Sequence, residues 1–228
     1  YRGWIPALNI QYHLGVDGLS VPLVLLTGLL GMCAVFASWH VQLRVKEYFM
    51  WLLVLQTSVM GVFLALDLIL FFVFWELMVV PMFLLIGIWG GPKRVYSAVK
   101  FLLFTLAGSV LMLVGMIVLY NGAGTLDFRE LAEIGVAAEQ QVWLFIAFWA
   151  AFAVKVPMFP VHTWLPDAHT EAPTAGSVIL AGVLLKMGAY GLLRVSLPLF
   201  PLAVQQFLTP MLVLSVVAIV YGAYVTLM

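Results

Sequence analysis

Phe71-Phe72-Val73-Phe74-Trp75-Glu76-Leu77-Met78-Val79-Val80-Pro81 sets one carboxylate in a run of large apolar side chains that extends both ways, over residues 68–89. At a rise of 1.5 Å, about 20 such residues cover the roughly 30 Å of a bilayer's hydrocarbon core, where backbone groups must be bonded within their own segment. The stretch reads as a membrane-spanning helix with an acid inside it. Working outward, six more stretches of this kind occupy residues 19–39, 48–66, 97–120, 142–161, 173–195 and 207–228. The ten-residue alternation of an outer-membrane barrel is absent. The expected fold is an all-α membrane protein, a polytopic bundle of about seven transmembrane helices.

Composition agrees. Of 228 residues, 65% are apolar and 9% charged, and the mean hydropathy is +1.15, a balance from which no water-facing surface can be built. Ten basic and ten acidic side chains cancel, so neither a nucleic-acid surface nor a basic lipid-binding tail is indicated. Cys33 is the only cysteine. That excludes an internal disulfide, a thiolate zinc site and an iron-sulfur cluster held by this chain alone. No phosphate-binding glycine loop, nucleophile elbow or dinucleotide fingerprint occurs. The chain starts at Tyr1 and stops at Met228 inside an apolar run, so it reads as a piece of a longer protein.

Loop charges orient the bundle. Arg44 and Lys46 lie in one connection and Lys93 and Arg94 in another, two spans apart, so both share a side. The positive-inside rule makes that side cytoplasmic and leaves residues 1–18 and 121–141 outside. In the second outer segment, Asp127 with Glu130 three residues on predicts a capped surface helix through Leu131 and Ile134. Gly108 and Gly115 fall on one helix face and predict close helix packing.

A carboxylate at the depth of Glu76 costs roughly 2.5 to 3.5 kcal/mol on insertion scales and needs a partner, water or a proton. Lys155 lies about 20 Å along its span, and Lys186 is comparably deep in the next. One acid and two lysines on three helices at a similar level point to a proton relay, because a site whose proton affinity depends on its neighbour's position is what a relay requires. A buried Glu-Lys pair can also simply join two helices. One carboxylate cannot neutralise two lysines, so one lysine must be solvated, deprotonated or paired elsewhere. Directly after Lys155, prolines 157, 160, 166 and 173 each remove a backbone donor and disfavour helix in the residue before them. The helix should break beside its lysine, and interrupted helices mark ion sites in transporters. His162, Asp167, His169 and Glu171 follow. Histidine titrates nearest neutral pH, while the spacing matches no zinc or haem signature, so no metal is expected. Asp167 and Glu171 read as interfacial loop residues. Lys100, one turn inside its span, either snorkels or exchanges protons. Asp67 and Arg194 sit at helix ends and read mainly as interface residues.

The runs Phe74-Trp75-Glu76-Leu77-Met78-Val79-Val80-Pro81, Val154-Lys155-Val156-Pro157, His162-Thr163-Trp164-Leu165-Pro166-Asp167-Ala168-His169, Ala172-Pro173-Thr174-Ala175-Gly176 and Leu185-Lys186 occur in this order. Together they resemble the antiporter-like subunits of respiratory complex I, NADH:quinone oxidoreductase, and within that family the subunit M branch, called subunit 4 in mitochondria. The likeness extends over nearly the whole chain, from Val16-Asp17-Gly18-Leu19-Ser20 onward.

The resemblance implies a fourteen-helix subunit of two inverted five-helix repeats, each holding half of a proton path. Mapped here, residues 1–47 are the end of a loop plus one helix, 48–195 the first repeat, and 196–228 the start of the second. Glu76, Lys155 and Lys186 then match the family's proton-path glutamate and lysines, with Lys100 and Asp67 aligned to a further lysine and acid. His162 and His169 join as secondary candidates. The resemblance further implies a translocase subunit with no redox centre or cofactor of its own. NADH, FMN, iron-sulfur clusters and quinone would belong to partner subunits. Its setting would be a bacterial cytoplasmic (inner) membrane, among other membrane-arm subunits, with protons or sodium as cargo. An Mrp-type sodium/proton antiporter subunit shares the same motifs. A membrane-bound hydrogenase subunit and a purely structural membrane anchor are the remaining readings.

Overall fold

Backbone groups immersed in lipid find no water to bond, and the chain answers with helix nearly throughout. The computed structural model describes residues 2–5 and 10–227. Tyr1 and Met228, and with them the expected final residue of the last span, lie outside those residues. Helix α1 is Ser20–Ala37 and α2 is Val45–Leu64, followed by α3, Leu68–Leu77, and α4, Val79–Trp89. Next come α5, Arg94–Ala123, α6, Phe128–Ile134, α7, Ala138–Lys155, and α8, Trp164–Glu171. The stretch Thr174–Leu199 is composite: α9, Thr174–Ile179, a π-helical turn Leu180–Leu184, α10, Leu185–Gly191, a second π-helical turn Leu192–Ser196, and α11, Leu197–Leu199. Helix α12, Pro201–Thr226, follows.

Among the described residues, six helical stretches are long and apolar enough to cross a membrane, with α3 and α4 together making one of them. The seventh expected span, 142–161, appears as α7. It starts earlier, in the polar turn of Glu139 to Gln141, and ends at Lys155 after 18 residues. Near the N-terminus, β1, Arg2–Ile5, pairs antiparallel with β2, Ile10–Tyr12, with Arg2 opposite Tyr12. Nothing in the sequence pattern had pointed to this small ribbon.

The core lies between α2, α3, α5, α7 and α10 and is filled by Phe63, Phe71, Trp75, Phe101, Phe148, Phe152 and Trp164, none more than 1% exposed. The glycine seam does what its spacing predicts. A Cβ on Gly108 would sit 3.1 Å from the Ala151 Cα, and one on Gly115 2.9 Å from Phe148 Cε2, so both glycines admit α7 against α5.

Loops sort to two ends as the charge pattern implies. At the basic end, Trp89 Nε1 donates to the Leu43 carbonyl at 2.7 Å, and Gly91 N donates to the Glu171 carbonyl at 2.9 Å. At the other end, Leu68 N donates to Leu126 O at 2.8 Å and Phe128 N to Leu66 O at 3.0 Å. There His13 Nδ1 meets Asp127 Oδ2 at 2.8 Å, and Arg194 pairs with Asp17. Helix α6 forms where expected, with Asp127 accepting from Arg129 N at 2.8 Å. Glu130 does not reach back to Asp127; its carboxylate takes the Thr125 hydroxyl at 2.5 Å instead.

Asp67 is no interface residue. It is fully buried, with Oδ1 capping α3 through Ile69 N at 2.8 Å and Leu70 N at 3.2 Å and Oδ2 left without a hydrogen bond. Arg194 is likewise mostly enclosed, its side chain 20% exposed and paired with Asp17. Burial pushes the Asp67 carboxyl above its ordinary 3.8, against the backbone donors of Leu70 and Ile69, and Asp127 adds to the rise. A carboxyl held more tightly protonated in the fold than in the unfolded chain subtracts no stability below 3.8. Its ionisation then subtracts stability as pH rises through the folded value. Thermal unfolding across this range should show stability falling with pH, and Asp67→Asn, which keeps the capping oxygen, should flatten that slope. An unchanged slope would show that the buried carboxyl does not set it.

Candidate proton site

Pro81 lacks an N–H and its ring opposes the carbonyl four residues back, that of Leu77. The helix is loosened at Met78, between α3 and α4, where the Met82 N to Met78 O contact is long at 3.4 Å. Met78 keeps helical dihedrals, so Glu76 stands beside a weakened turn within one span, Leu68–Trp89. Its Oε1 is buried without a hydrogen-bond partner. The span expected over 68–89 stands as one helical stretch, and Pro81 is the residue that loosens it at Met78.

The second break is the expected one. Helix α7 ends at Lys155, and turns follow up to α8. Met158 N bonds Ala153 O at 2.9 Å, while the Val154 carbonyl takes the Trp164 indole N–H at 2.9 Å. Lys155, the last residue of α7, is 1% exposed. Its Nζ lies 3.7 Å from Met78 Sδ and 5.4 Å from the centroids of both Trp75 and Phe101. Cation–π attraction to two rings compensates part of the desolvation of an ammonium. Among the described residues no carboxylate approaches Lys155 within the 4.0 Å of an ion pair, although the Glu76 charge acts on it from further away. The two helix interruptions thus meet at one lysine.

Lys186 departs from expectation. It is exposed rather than buried, and its Nζ donates to Ala181 O at 2.6 Å. The π-helical turns on both sides of α10 explain the geometry. Such turns disturb the regular i→i−4 ladder, and a lysine leaning toward its helix N-terminus reaches the carbonyl five residues back. Lys186 still belongs to the same neighbourhood, because α10 rests directly on the end of α7. A Cβ on Gly188 would lie 2.8 Å from Phe152 O and 2.9 Å from Val156 N.

The secondary candidates separate. His162 lies in the turns before α8, with Nδ1 buried and unbonded. Its ring packs 5.7 Å from that of Phe159 and 5.2 Å from that of Tyr221 on α12. His169 is exposed on α8 and contributes its carbonyl to the Ser177 hydroxyl at 2.9 Å. Asp67 sits at the start of α3, the end away from Glu76. Lys100 does not snorkel freely: its Nζ pairs with Asp167 Oδ2 at 2.6 Å. Asp167 and Glu171, read as loop residues, lie on α8 and both bond to α5 or its N-terminal cap. An ion pair between positions 67 apart has no local signature in sequence. Chemically, the centre offers a dry, caged amine, a separated carboxylate beside it, and a second amine on the helix packed behind.

Known proteins bear on this arrangement. The family described as "NADH:quinone oxidoreductase/Mrp antiporter, TM" matches residues 65–228. NADH-quinone oxidoreductase subunit M of Rhodobacter capsulatus is 52% identical over 239 residues, covering 99% of this chain and 46% of its own length. The chain thus spans just under half the length of that curated relative. A chain of respiratory complex I from Thermus thermophilus with bound NADH superposes with a TM-score of 0.87 at 31% identity, over 98% of this chain and 48% of that one. A chain of the Mrp complex from Dietzia sp. DQ12-45-1b gives 0.78 at 29% identity, over 91% and 24%. The match spans both interrupted helices and both lysines, and the chain belongs to the NADH:quinone oxidoreductase/Mrp antiporter family of transmembrane subunits.

Proposed function

We propose that this chain carries one half of a proton path in the membrane arm of an NADH:quinone oxidoreductase of the complex I type, with Lys155 as its proton-holding group. The observation that carries the reading is an ammonium, 1% exposed, seated where two interrupted helices meet and, among the described residues, without a carboxylate at ion-pair distance. A purely structural lysine at such depth would be expected to hold its anion. In this mechanism Glu76 pairs with Lys155 in one state and parts from it in another. Loss of the pair frees the Lys155 proton, which passes through water and by way of His162 to Lys186. Moving one charge against 100 mV requires about 2.3 kcal/mol, so each step must be driven from outside the chain. Quinone reduction in partner subunits that carry NADH, FMN and iron-sulfur clusters would supply it, in a bacterial cytoplasmic (inner) membrane. Residues 48–195 form the five-helix repeat, preceded by a loop and one helix in 1–47 and followed by the start of a second repeat in 196–228.

Sodium/proton antiport in an Mrp-type complex is the second reading, favoured by the likeness to the Dietzia chain. Affinity purification of the full-length protein from its native membrane separates the two. The expected result is recovery of flavin- and iron-sulfur-bearing subunits with NADH:quinone activity. Recovery of antiporter subunits alone would overturn the complex I assignment.

A further inference from the structure

Lys155 can exchange a proton only with water, and the structure surrounds its Nζ with sulfur and aromatic rings. Something must move to wet it. Toward the basic end it is covered by Phe101, and the Phe101 ring meets that of Trp164 at 5.5 Å. Both aromatics are completely buried. Trp164 is the first residue of α8 and is pinned by its indole to the Val154 carbonyl, which the break in α7 leaves without its usual donor. Helix α8 is only eight residues long. It hangs between the turns after Lys155 and the extended Ala172-Pro173 link, so its place must be set by what it bonds to.

Two carboxylates four residues apart, hence on one face of α8, make that attachment. Glu171 Oε2 accepts from Lys93 N, the residue before α5, at 2.8 Å, and Gly91 N donates to the Glu171 carbonyl at 2.9 Å. Asp167 Oδ2 pairs with Lys100 Nζ at 2.6 Å, while that Nζ also sits 5.6 Å over the Tyr96 ring. The side chains of the pair are 21% and 40% exposed. Water reaches both contacts, but the Glu171 end is held twice, through its side chain and its main chain, whereas the α8 end at Asp167 hangs on one ion pair that charge and ionic strength can loosen. Glu171 acts as the fixed end and the Lys100–Asp167 pair as the releasable one.

We infer that the Lys100–Asp167 ion pair is a latch holding α8 against α5, so that its release lifts Trp164 from Phe101 and opens Lys155 to water from the basic side. Lys100 and Asp167 are then positioning residues for proton transfer at Lys155, and this rests on the proton-path reading above. When the latch closes, Trp164 returns to the Val154 carbonyl and the lysine is dry. Alternation between these two states keeps the proton from being exchanged with both sides at once.

The test uses the full-length subunit in its native complex, reconstituted into vesicles. It compares Asp167→Asn, Lys100→Met and the charge exchange Lys100→Asp with Asp167→Lys. Deuterium uptake of residues 156–171, read by mass spectrometry, should rise roughly two- to fivefold in each neutralised variant, the range that parting a half-exposed ion pair yields. The charge exchange should return uptake to that of the parent, which also controls for misfolding. Proton pumping in the neutralised variants should change its dependence on basic-side pH. Parental uptake in Asp167→Asn, or failure of the charge exchange to restore it, overturns the latch. Faster uptake with an unaltered pumping profile overturns its role in proton transfer. Normal pumping by Lys155→Met would sink the proton-path reading, and it is read apart from the uptake result, which requires no pumping.

Discussion

Lys155→Met, made in the full-length subunit within its complex, is expected to abolish proton translocation while leaving the helix bundle assembled. Methionine keeps the length of the side chain and suits a cage already made of Met78, Trp75 and Phe101. In the arrangement seen here no carboxylate among the described residues lies at ion-pair distance from Lys155, so its removal breaks no ion pair in this state and folding should be unchanged or slightly improved. Transport differs sharply. Without an amine at this point, a proton crossing the dry segment has no group to rest on. The barrier then rises by at least the roughly 2.5 to 3.5 kcal/mol that a charge costs at such depth. At 1.36 kcal/mol per decade this slows transfer by roughly a hundredfold. Lys155→Arg completes the test. A guanidinium keeps the charge and the cation–π contacts but does not release its proton, so pumping should be lost here too. Pumping with arginine at this position would show that a fixed positive charge suffices. Vesicle acidification measured alongside quinone reduction distinguishes these outcomes.

Part of the site is legible in the amino-acid sequence itself. Hydropathy located the spans because lipid demands apolar length, and prolines 157 to 173 announced the break after Lys155 because each removes a backbone donor. The weakened turn at Met78 is equally encoded, through Pro81, since a single proline late in a span permits a continuous kinked helix. Position along a span measures depth and says little about which way a side chain turns. That is why Lys186 was expected to be buried with Lys155 and is exposed instead. The π-helical turns around it have no residue code of their own, since they arise from how α10 packs on α7. Asp167 illustrates the same limit from the other side. Its proline-rich surroundings suggested loop, whereas Pro166 lies in the first turn of α8, where a missing N–H does no harm. Its partner Lys100 could be known only once α5 and α8 were side by side.

Glu76→Gln should also lose most proton pumping, and the form of its coupling to Lys155 is the more informative result. Glutamine retains the size of the side chain and removes only the charge. The buried Oε1, already without a partner, keeps an acceptor in place, so the α3–α4 break should persist and assembly should survive. What disappears is the charge that acts on Lys155 from beyond ion-pair distance, and with it the ability to hold the ammonium in one state and release it in the other. Residues that act through one another give non-additive losses. The double variant Glu76→Gln with Lys155→Met should therefore pump no less than Lys155→Met alone, because Glu76 has nothing left to act on. Independent, multiplying losses would mean that Glu76 serves a separate route. A pumping rate in Glu76→Gln equal to the parent would mean that the carboxylate only fills space beside Met78. Either result would leave Lys155 as a buried lysine at a helix end without the partner that makes its proton movable.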